Sequence, residues 1–316
     1  MKRENILITG GAGNIGSALV NRLIQSDRYN VVILDNLITG SRQKLPNNYK
    51  DNWSFIKGDV NIKSELSAIM LSRHFDYIYH YAALVGVKRT QANPVAVLKD
   101  IDGIKNILDL AKNTGVKRVI YSSSSEVYGE PVHIPQNEIH TPLNSRVPYA
   151  VVKNVGESFL RSYHQEYGLN YSIYRFFNTY GPRQSKDFVI AKFLSAALKN
   201  ESIPIYGNGS QSRTFCYIDD NIDLTVKCLE ENLLVNDIVN IGSHEVISIL
   251  ELAELIIEIT NSKSEIIFLP PLKDGDMKRR QPDNSKMKKV LGRELITLHQ
   301  GILKMLEQPE MILYDN

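Results

Sequence analysis

Residues 9–16 read TGGAGNIG; they follow the apolar run at 6–9 and lead at once into ALVNRLI at 18–24. A chain that leaves a strand, turns tightly and enters a helix needs residues without a side chain where backbone packs on backbone. Gly10, Gly13 and Gly16 meet that need and let the main chain approach a diphosphate. The amides of Asn14, Ile15 and Gly16 open the helix, where the dipole and unsatisfied N–H groups favour an anion. Asp35 ends the next apolar run at the spacing where an acid accepts hydrogen bonds from ribose hydroxyls and repels a 2′-phosphate. The string therefore predicts a dinucleotide site for NAD rather than NADP. Asn36 beside that acid, and Asp59 with Val60 in KGDV after the third run, are candidates for the adenosine end.

Outward from this turn, short apolar runs alternate with amphipathic stretches. Strands are expected at 6–9, 31–34, 54–57, 77–79, 118–122 and 171–176, with helices at 15–25, 64–72, 95–113 and 149–167. Such alternation predicts parallel strands with right-handed crossovers, an α/β doubly wound sheet of Rossmann type. After Gly181-Pro182 the alternation becomes irregular and Pro, Gly and Asn punctuate it (IPIYGNGS, FLPPLKDGD). This predicts a dinucleotide-binding domain over 1–178 and a smaller, mainly substrate-binding C-terminal lobe over 179–316. Within that lobe, 205–242 is expected to return to the first domain, through segments 217–230 and 238–241.

Bulk properties agree with a soluble enzyme. The chain has 316 residues, 43% hydrophobic and 23% charged, and its 37 Lys+Arg nearly balance 35 Asp+Glu. A general nucleic-acid or membrane-surface protein needs a basic face, which this balance does not supply. No apolar stretch is long enough to cross a bilayer or to act as a secretory leader, so a cytoplasmic location is expected. Cys216 and Cys228 show no metal spacing and suit a reducing compartment. No metal site is expected.

A second motif carries chemistry. PYAVVK at 148–153 sets Tyr149 and Lys153 four residues apart on one helical face. A phenol is a poor base at neutral pH unless a nearby cation stabilises its phenolate. Lys153 and an oxidised nicotinamide both provide one, so Tyr149 can take a hydroxyl proton while hydride leaves the carbon. SSSSEVYG at 122–129 ends an expected strand, where a parallel sheet presents its ligands, and one serine there can share the proton.

TGGAGNIG, HYAA at 80–83, SSSSEVYG, PYAVVK, RFFNTYGPR at 175–183 and GSQSRTFCYIDD at 209–220, in this order, resemble the extended short-chain dehydrogenase/reductase family. More narrowly the chain resembles the nucleotide-sugar epimerases, 4,6-dehydratases and uronate decarboxylases, and RRQPDNSKMKKVLG at 279–292 extends the likeness. The resemblance implies a tightly held NAD, a nucleotide-diphosphate-sugar substrate and a homodimer formed by two helices per subunit. It gives Ser124 the Ser/Thr role beside Tyr149 and Lys153. Asn178 matches an asparagine at the diphosphate and sugar, Arg213 an arginine on the diphosphate, and Arg280 one that assists it or reaches the sugar. The planar guanidinium fork suits a phosphate. One departure is Asp100 in KDIDG, where the family usually carries Asn.

The members resembled share oxidation at sugar C4 and differ afterwards. A 4-epimerase rotates its ketone and needs no further base, whereas a 4,6-dehydratase must remove the C5 proton and expel the C6 hydroxyl. A uronate decarboxylase forms a β-keto acid that loses carbon dioxide. Glu126 stands where dehydratases and decarboxylases carry Glu and typical 4-epimerases do not; Ser125 stands where the usual dehydratase has Asp. The proline-rich signature of the decarboxylase is absent from AALVGVKRT at 82–90. The preferred expectation is 4,6-dehydratase chemistry with Glu126 as C5 base. The alternatives are a UDP-sugar 4-epimerase, a UDP-glucuronate decarboxylase, or a dinucleotide-binding sensor without turnover; the intact Ser124–Tyr149–Lys153 set speaks against the sensor.

Overall fold

A computed structural model describes residues 3–47, 50–271 and 279–308. The chain divides into two compact units. Met1–Val127, Ser145–Arg175 and Ile222–Val239 form the first; Tyr128–Asn144, Phe176–Asn221 and Asn240–Asn316 form the second.

The first unit is built on β1 (Glu4–Thr9), β2 (Tyr29–Asp35), β3 (Trp53–Lys57), β4 (Tyr77–His80), β5 (Arg118–Ser124) and β6 (Tyr171–Phe176). With an edge strand Asp237–Ile241 they make a seven-stranded sheet in the order 237–241, β6, β5, β4, β1, β2, β3. The registers are parallel, with Ile6 opposite both Val31 and Tyr77, Val31 opposite Trp53, and Tyr77 opposite Arg118. Helices are α1 (Asn14–Leu23), α2 (Lys63–Ser72), α3 (Val87–Ala92), α4 (Pro94–Leu98), α5 (Asp100–Ala111) and α6 (Pro148–Tyr167). The strands are apolar at successive positions because helices cover both faces of a parallel sheet; Ile6, Leu7 and Ile8 are all fully buried. One core layer joins Leu7, Val32 and Leu34 to Leu66, Ile69 and Met70 of α2 and to Ile104, Ile107 and Leu108 of α5. Strand order reverses between β1 and β4, so the carboxyl ends of these two strands flank the ligand crevice of a doubly wound sheet. The α/β expectation holds.

One expectation is corrected. The stretch 95–113, read as one amphipathic helix, is divided at Lys99 into α4 and α5. Of the segments expected to return to the first domain, Asp237–Ile241 forms the edge of its sheet, and Ile218–Glu230 is a helix of which Ile222 onward lies in the first unit. Asp219 and Asp220 in its first turn favour a helix start, and its apolar residues recur at helical rather than alternating spacing.

The second unit contains small two-stranded pairings. Thr179–Tyr180 pairs in parallel with Cys216–Tyr217, Ser212–Thr214 antiparallel with Val246–Ser248, and Ile203–Tyr206 in parallel with Ile266–Leu269. Capping boxes at Ser248/Glu251 and Thr297/Gln300 start two of its helices, each satisfying two N-terminal amides. The proline-rich stretch noted above runs on into 272–278, outside the described residues.

Candidate active site

The turn between β1 and α1 is as tight as its glycines require. A side-chain carbon at Gly10, whose φ is +70°, would lie 2.6 Å from the Ala82 amide nitrogen, and one at Gly16 would run into the Gly10 carbonyl. No side chain caps α1 and no acid stands in its first turn, where helix-opening amides such as those of Asn14, Ile15 and Gly16 favour an anion. Asp35, 8% exposed, accepts hydrogen bonds from the Ala12 amide (2.9 Å) and the Leu37 amide (2.8 Å). Each carboxylate oxygen keeps a lone pair for a further donor. Gly40 lies against it, since a side-chain carbon there would be 2.7 Å from Oδ1. This donor and acceptor set fits NAD: amides and a helix terminus for the diphosphate, and a carboxylate for ribose hydroxyls.

Asn36 and Asp59 meet directly, the Asn36 side-chain amide donating to Asp59 Oδ2 at 3.2 Å. The other oxygen of Asp59 accepts from the Asn61 amide at 2.9 Å, which shapes the turn after β3. Val60 is buried and packs in the core, its carbonyl accepting from Asn106 at 3.2 Å.

The four serines of SSSSEVYG differ in their work. Ser122 Oγ donates to the His80 carbonyl at 3.1 Å, tying β5 to β4. Ser123 Oγ donates to Glu157 of α6 at 2.6 Å. Ser124 Oγ, at the end of β5, accepts the Glu126 amide at 3.2 Å and so begins the 3₁₀ turn Ser125–Tyr128. Ser125 is buried and Glu126 is half-buried. Lys153 is 3% exposed; its ammonium donates to the Ser122 carbonyl at 2.6 Å and lies 3.3 Å from Ser122 Oγ. It sits 4.9 Å from the Tyr121 ring centroid and 5.7 Å from that of Tyr149, favourable for a cation over aromatic faces. Burial pulls the Lys153 ammonium down to about 8, and the Asp100 charge opposes that fall. Helix α6 approaches β5 closely because residue 156 is glycine: a side-chain carbon there would collide with the Tyr121 ring.

Glu157, one turn beyond Lys153, was not singled out from sequence. It is fully buried and receives Arg175 in two bonds of 2.8 and 2.7 Å besides Ser123. Arg175 and Ser123 hold its carboxyl below the usual range against the opposing effect of burial. His80 is also buried, with Nδ1 2.8 Å from Thr9 Oγ1, and burial pushes its imidazole down to about 3. The signal for Glu157 was its position four residues after Lys153 on the same helical face.

In the second unit Asn178 has a left-handed backbone (φ +42°), and its side-chain amide donates to the Thr214 carbonyl at 2.9 Å. Arg213, the preceding residue, is buried and donates to the Ser212 carbonyl at 2.7 Å. Asn178 and Arg213 are thus held together. Arg280, nine-tenths buried, is placed by its neighbours: the Gln136 amide donates to the Gln281 carbonyl at 2.7 Å, and the Asp283 amide to the Gln136 carbonyl at 2.8 Å.

Comparison with known proteins agrees with this geometry. The profile of the NAD dependent epimerase/dehydratase family matches residues 6–242. UDP-glucuronic acid decarboxylase 3 of Arabidopsis thaliana is 36% identical over 305 residues, which are 94% of this chain and 86% of that protein. The solved structure of UDP-glucose 4-epimerase from Thermotoga maritima with UDP-glucose superposes with a TM-score of 0.91 at 32% identity, covering 98% of this chain and 100% of that one. The dTDP-glucose 4,6-dehydratase of Streptomyces venezuelae, solved with NAD bound, gives a TM-score of 0.87 at 28% identity, covering 97% and 98%. Glycine turn, acid-ended second strand, tyrosine–lysine helix and full-length likeness converge on one assignment: the chain belongs to the NAD-dependent epimerase/dehydratase family.

Proposed function

We propose that this protein oxidises a nucleotide-diphosphate sugar transiently at C4 and completes a 4,6-dehydration. The observation that carries the second step is Glu126, a half-buried carboxylate whose amide is bonded to Ser124 Oγ. NAD, when bound, accepts the C4 hydride and returns a hydride before product leaves. Tyr149 takes the proton from the C4 hydroxyl, with Ser124 sharing it and Lys153 stabilising the phenolate. Glu126 takes the C5 proton, which the C4 ketone acidifies, and the C6 hydroxyl departs as water with one of the two protons removed. The other proton returns to C5 as the hydride reaches C6, so the net change is loss of one water. In the second unit Asn178, Arg213 and Arg280 are assigned to the diphosphate and sugar, and Ser125 to the sugar in the first.

A uronate decarboxylase is the second reading, supported by the 36% identity to such an enzyme across 94% of the chain and by the buried Arg280, a cation suited to a C6 carboxylate. There the C5–C6 bond breaks, carbon dioxide leaves, and a proton then reaches C5. A 4-epimerase is supported by the 0.91 TM-score. A panel of UDP-, dTDP-, GDP- and CDP-sugars with product mass read out separates the three: loss of water, loss of carbon dioxide, or unchanged mass. In heavy water the dehydration product is expected to carry deuterium at C5. Glu126→Gln is expected to oxidise C4 normally yet form product about 10²–10⁴-fold more slowly. Product of unchanged mass with C5 free of deuterium would exclude dehydration.

We further propose a cytoplasmic homodimer. Among the described residues no helix is long and apolar enough to cross a membrane, and Cys216 and Cys228 are buried free thiols, which suits a reducing compartment.

A further inference from the structure

Ser122 lies on β5, two residues before Ser124, and is buried. Its carbonyl accepts the Lys153 ammonium at 2.6 Å and its Oγ accepts it at 3.3 Å, so one residue grips the charge at two points. The Ser122 hydroxyl has a single hydrogen, which goes to the His80 carbonyl at 3.1 Å. Toward Lys153 the oxygen therefore presents lone pairs alone. The main-chain ladder already pairs β4 with β5, His80 standing opposite Tyr121, so the bond from Ser122 to His80 is not needed to join the strands. What it adds is the direction of the hydroxyl.

The other groups around the ammonium act in different ways. Tyr121 on β5 and Tyr149 on α6 offer ring faces. His80 on β4 is held neutral by burial. Asp100 on α5 acts by charge, its oxygens bonded to the Leu84 amide and the Asn61 side-chain amide. Glu157, one turn farther along α6, is engaged by Arg175, Arg161 and Ser123. The hydrogen bonds that seat the ammonium come from Ser122. We propose that Ser122 is a positioning residue for the reaction, its carbonyl and oriented hydroxyl seating the Lys153 ammonium beside the Tyr149 ring. Burial favours loss of the Lys153 proton, and acceptors bonded to the charged form oppose that loss. The inference rests on the role given to Tyr149 and Lys153 above, but its test reads Lys153 itself.

Ser122→Ala removes the hydroxyl and leaves the carbonyl bond to Lys153 in place. The experiment follows the Cε resonance of Lys153 with pH in full-length, NAD-loaded protein labelled with ¹³C-lysine, the signal assigned by its loss in Lys153→Arg. In Ser122→Ala, Lys153 is expected to titrate about one unit lower, the order of one hydrogen bond to a charged group. The alkaline limb of the single-turnover rate is expected to move down with it. Ser122→Thr, which keeps a hydroxyl, is expected to titrate as the wild type does. Ser123→Ala is the control: it removes the neighbouring bond between β5 and α6, at Glu157, and is expected to leave the Lys153 titration where it was. An unchanged titration in Ser122→Ala would overturn the proposal. An equal fall in Ser123→Ala would overturn it too, because a general loosening of α6 would then account for both. If Ser122→Ala does not fold, Ser122→Cys, whose thiol is a weak acceptor, is expected to lower the titration in the same direction; no fall there would overturn it equally. Failure of the Tyr149 reading shows instead as absent hydride transfer with the Lys153 shift intact.

Discussion

At the level of single residues, the role proposed for Asp35 is to select between two cofactors. It is held by two backbone amides and, among the described residues, forms no ion pair, so its charge is not offset by a cation. Ribose hydroxyls can donate to such a group, whereas a 2′-phosphate must place a second anion beside it. Denatured purified protein is expected to release NAD(H) in at least about tenfold excess over NADP(H), since a repulsion of ~1.4 kcal/mol already gives that ratio. Recovery of mostly NADP(H) would show that Asp35 is met by a cation when the site is filled. The place of Asp35 was legible in the sequence because it depends only on where a strand ends. Ser122 and Ser123 were not: only the packing of α6 on β5 shows that one holds Lys153 and the other Glu157.

At the scale of elements, the carboxyl ends of β1, β4 and β5 are laced by side chains that sequence does not pair. Thr9 bonds His80 and Ser122 bonds the His80 carbonyl, so the His80 ring lies in a dry interior, stacked 5.8 Å from Tyr121. Its folded-state value of about 3 is below the ordinary 6.5. Between these values the unfolded chain binds a proton that the folded chain refuses, so stability is full above 6.5 and falls as pH drops toward 3. The contribution is about 1.4 kcal/mol per pH unit within that window. Urea midpoints measured from pH 6.5 down to about 4 are expected to fall more steeply for wild type than for His80→Asn, which cannot take up that proton. Equal slopes would mean that His80 is hydrated or charged in the folded protein. The same lacing explains why elements were easier to read than junctions. Strand β1 and helix α6 follow from their own periodicity, Pro148 at the first helical turn and Gly168 in the left-handed cap. The break at Lys99 has no local signal of that kind.

For the whole molecule, the doubly wound sheet was legible because most apolar runs are followed by a helix long enough to cross over, although β2 reaches β3 with only the 3₁₀ turn Arg42–Lys44 between them. The segment 217–230 was expected to return to the first domain with no element assigned to it; it is the helix Ile218–Glu230, and Ile222 onward lies in the first unit. Roles for Asn178, Arg213 and Arg280 came from a motif order spanning the chain, not from any local pattern. The central claim is that the C4 hydride leaves to the nicotinamide and a hydride returns to the sugar within one turnover, at C6 in the dehydration, with Tyr149 taking the C4 hydroxyl proton. The most direct test is a single turnover of NAD-loaded protein with each nucleotide sugar of the panel, the C4 hydrogen replaced by deuterium, followed by nicotinamide absorbance and product mass. With the true substrate, absorbance of reduced nicotinamide is expected to rise and decay, the rise slowed by deuterium, and the label to remain in the product. Tyr149→Phe, which removes one hydroxyl, is expected to keep its cofactor and slow the rise by about 10²-fold or more. A Tyr149→Phe protein that reduces its nicotinamide at the wild-type rate, or wild-type turnover with no isotope effect on any absorbance change, would contradict the account.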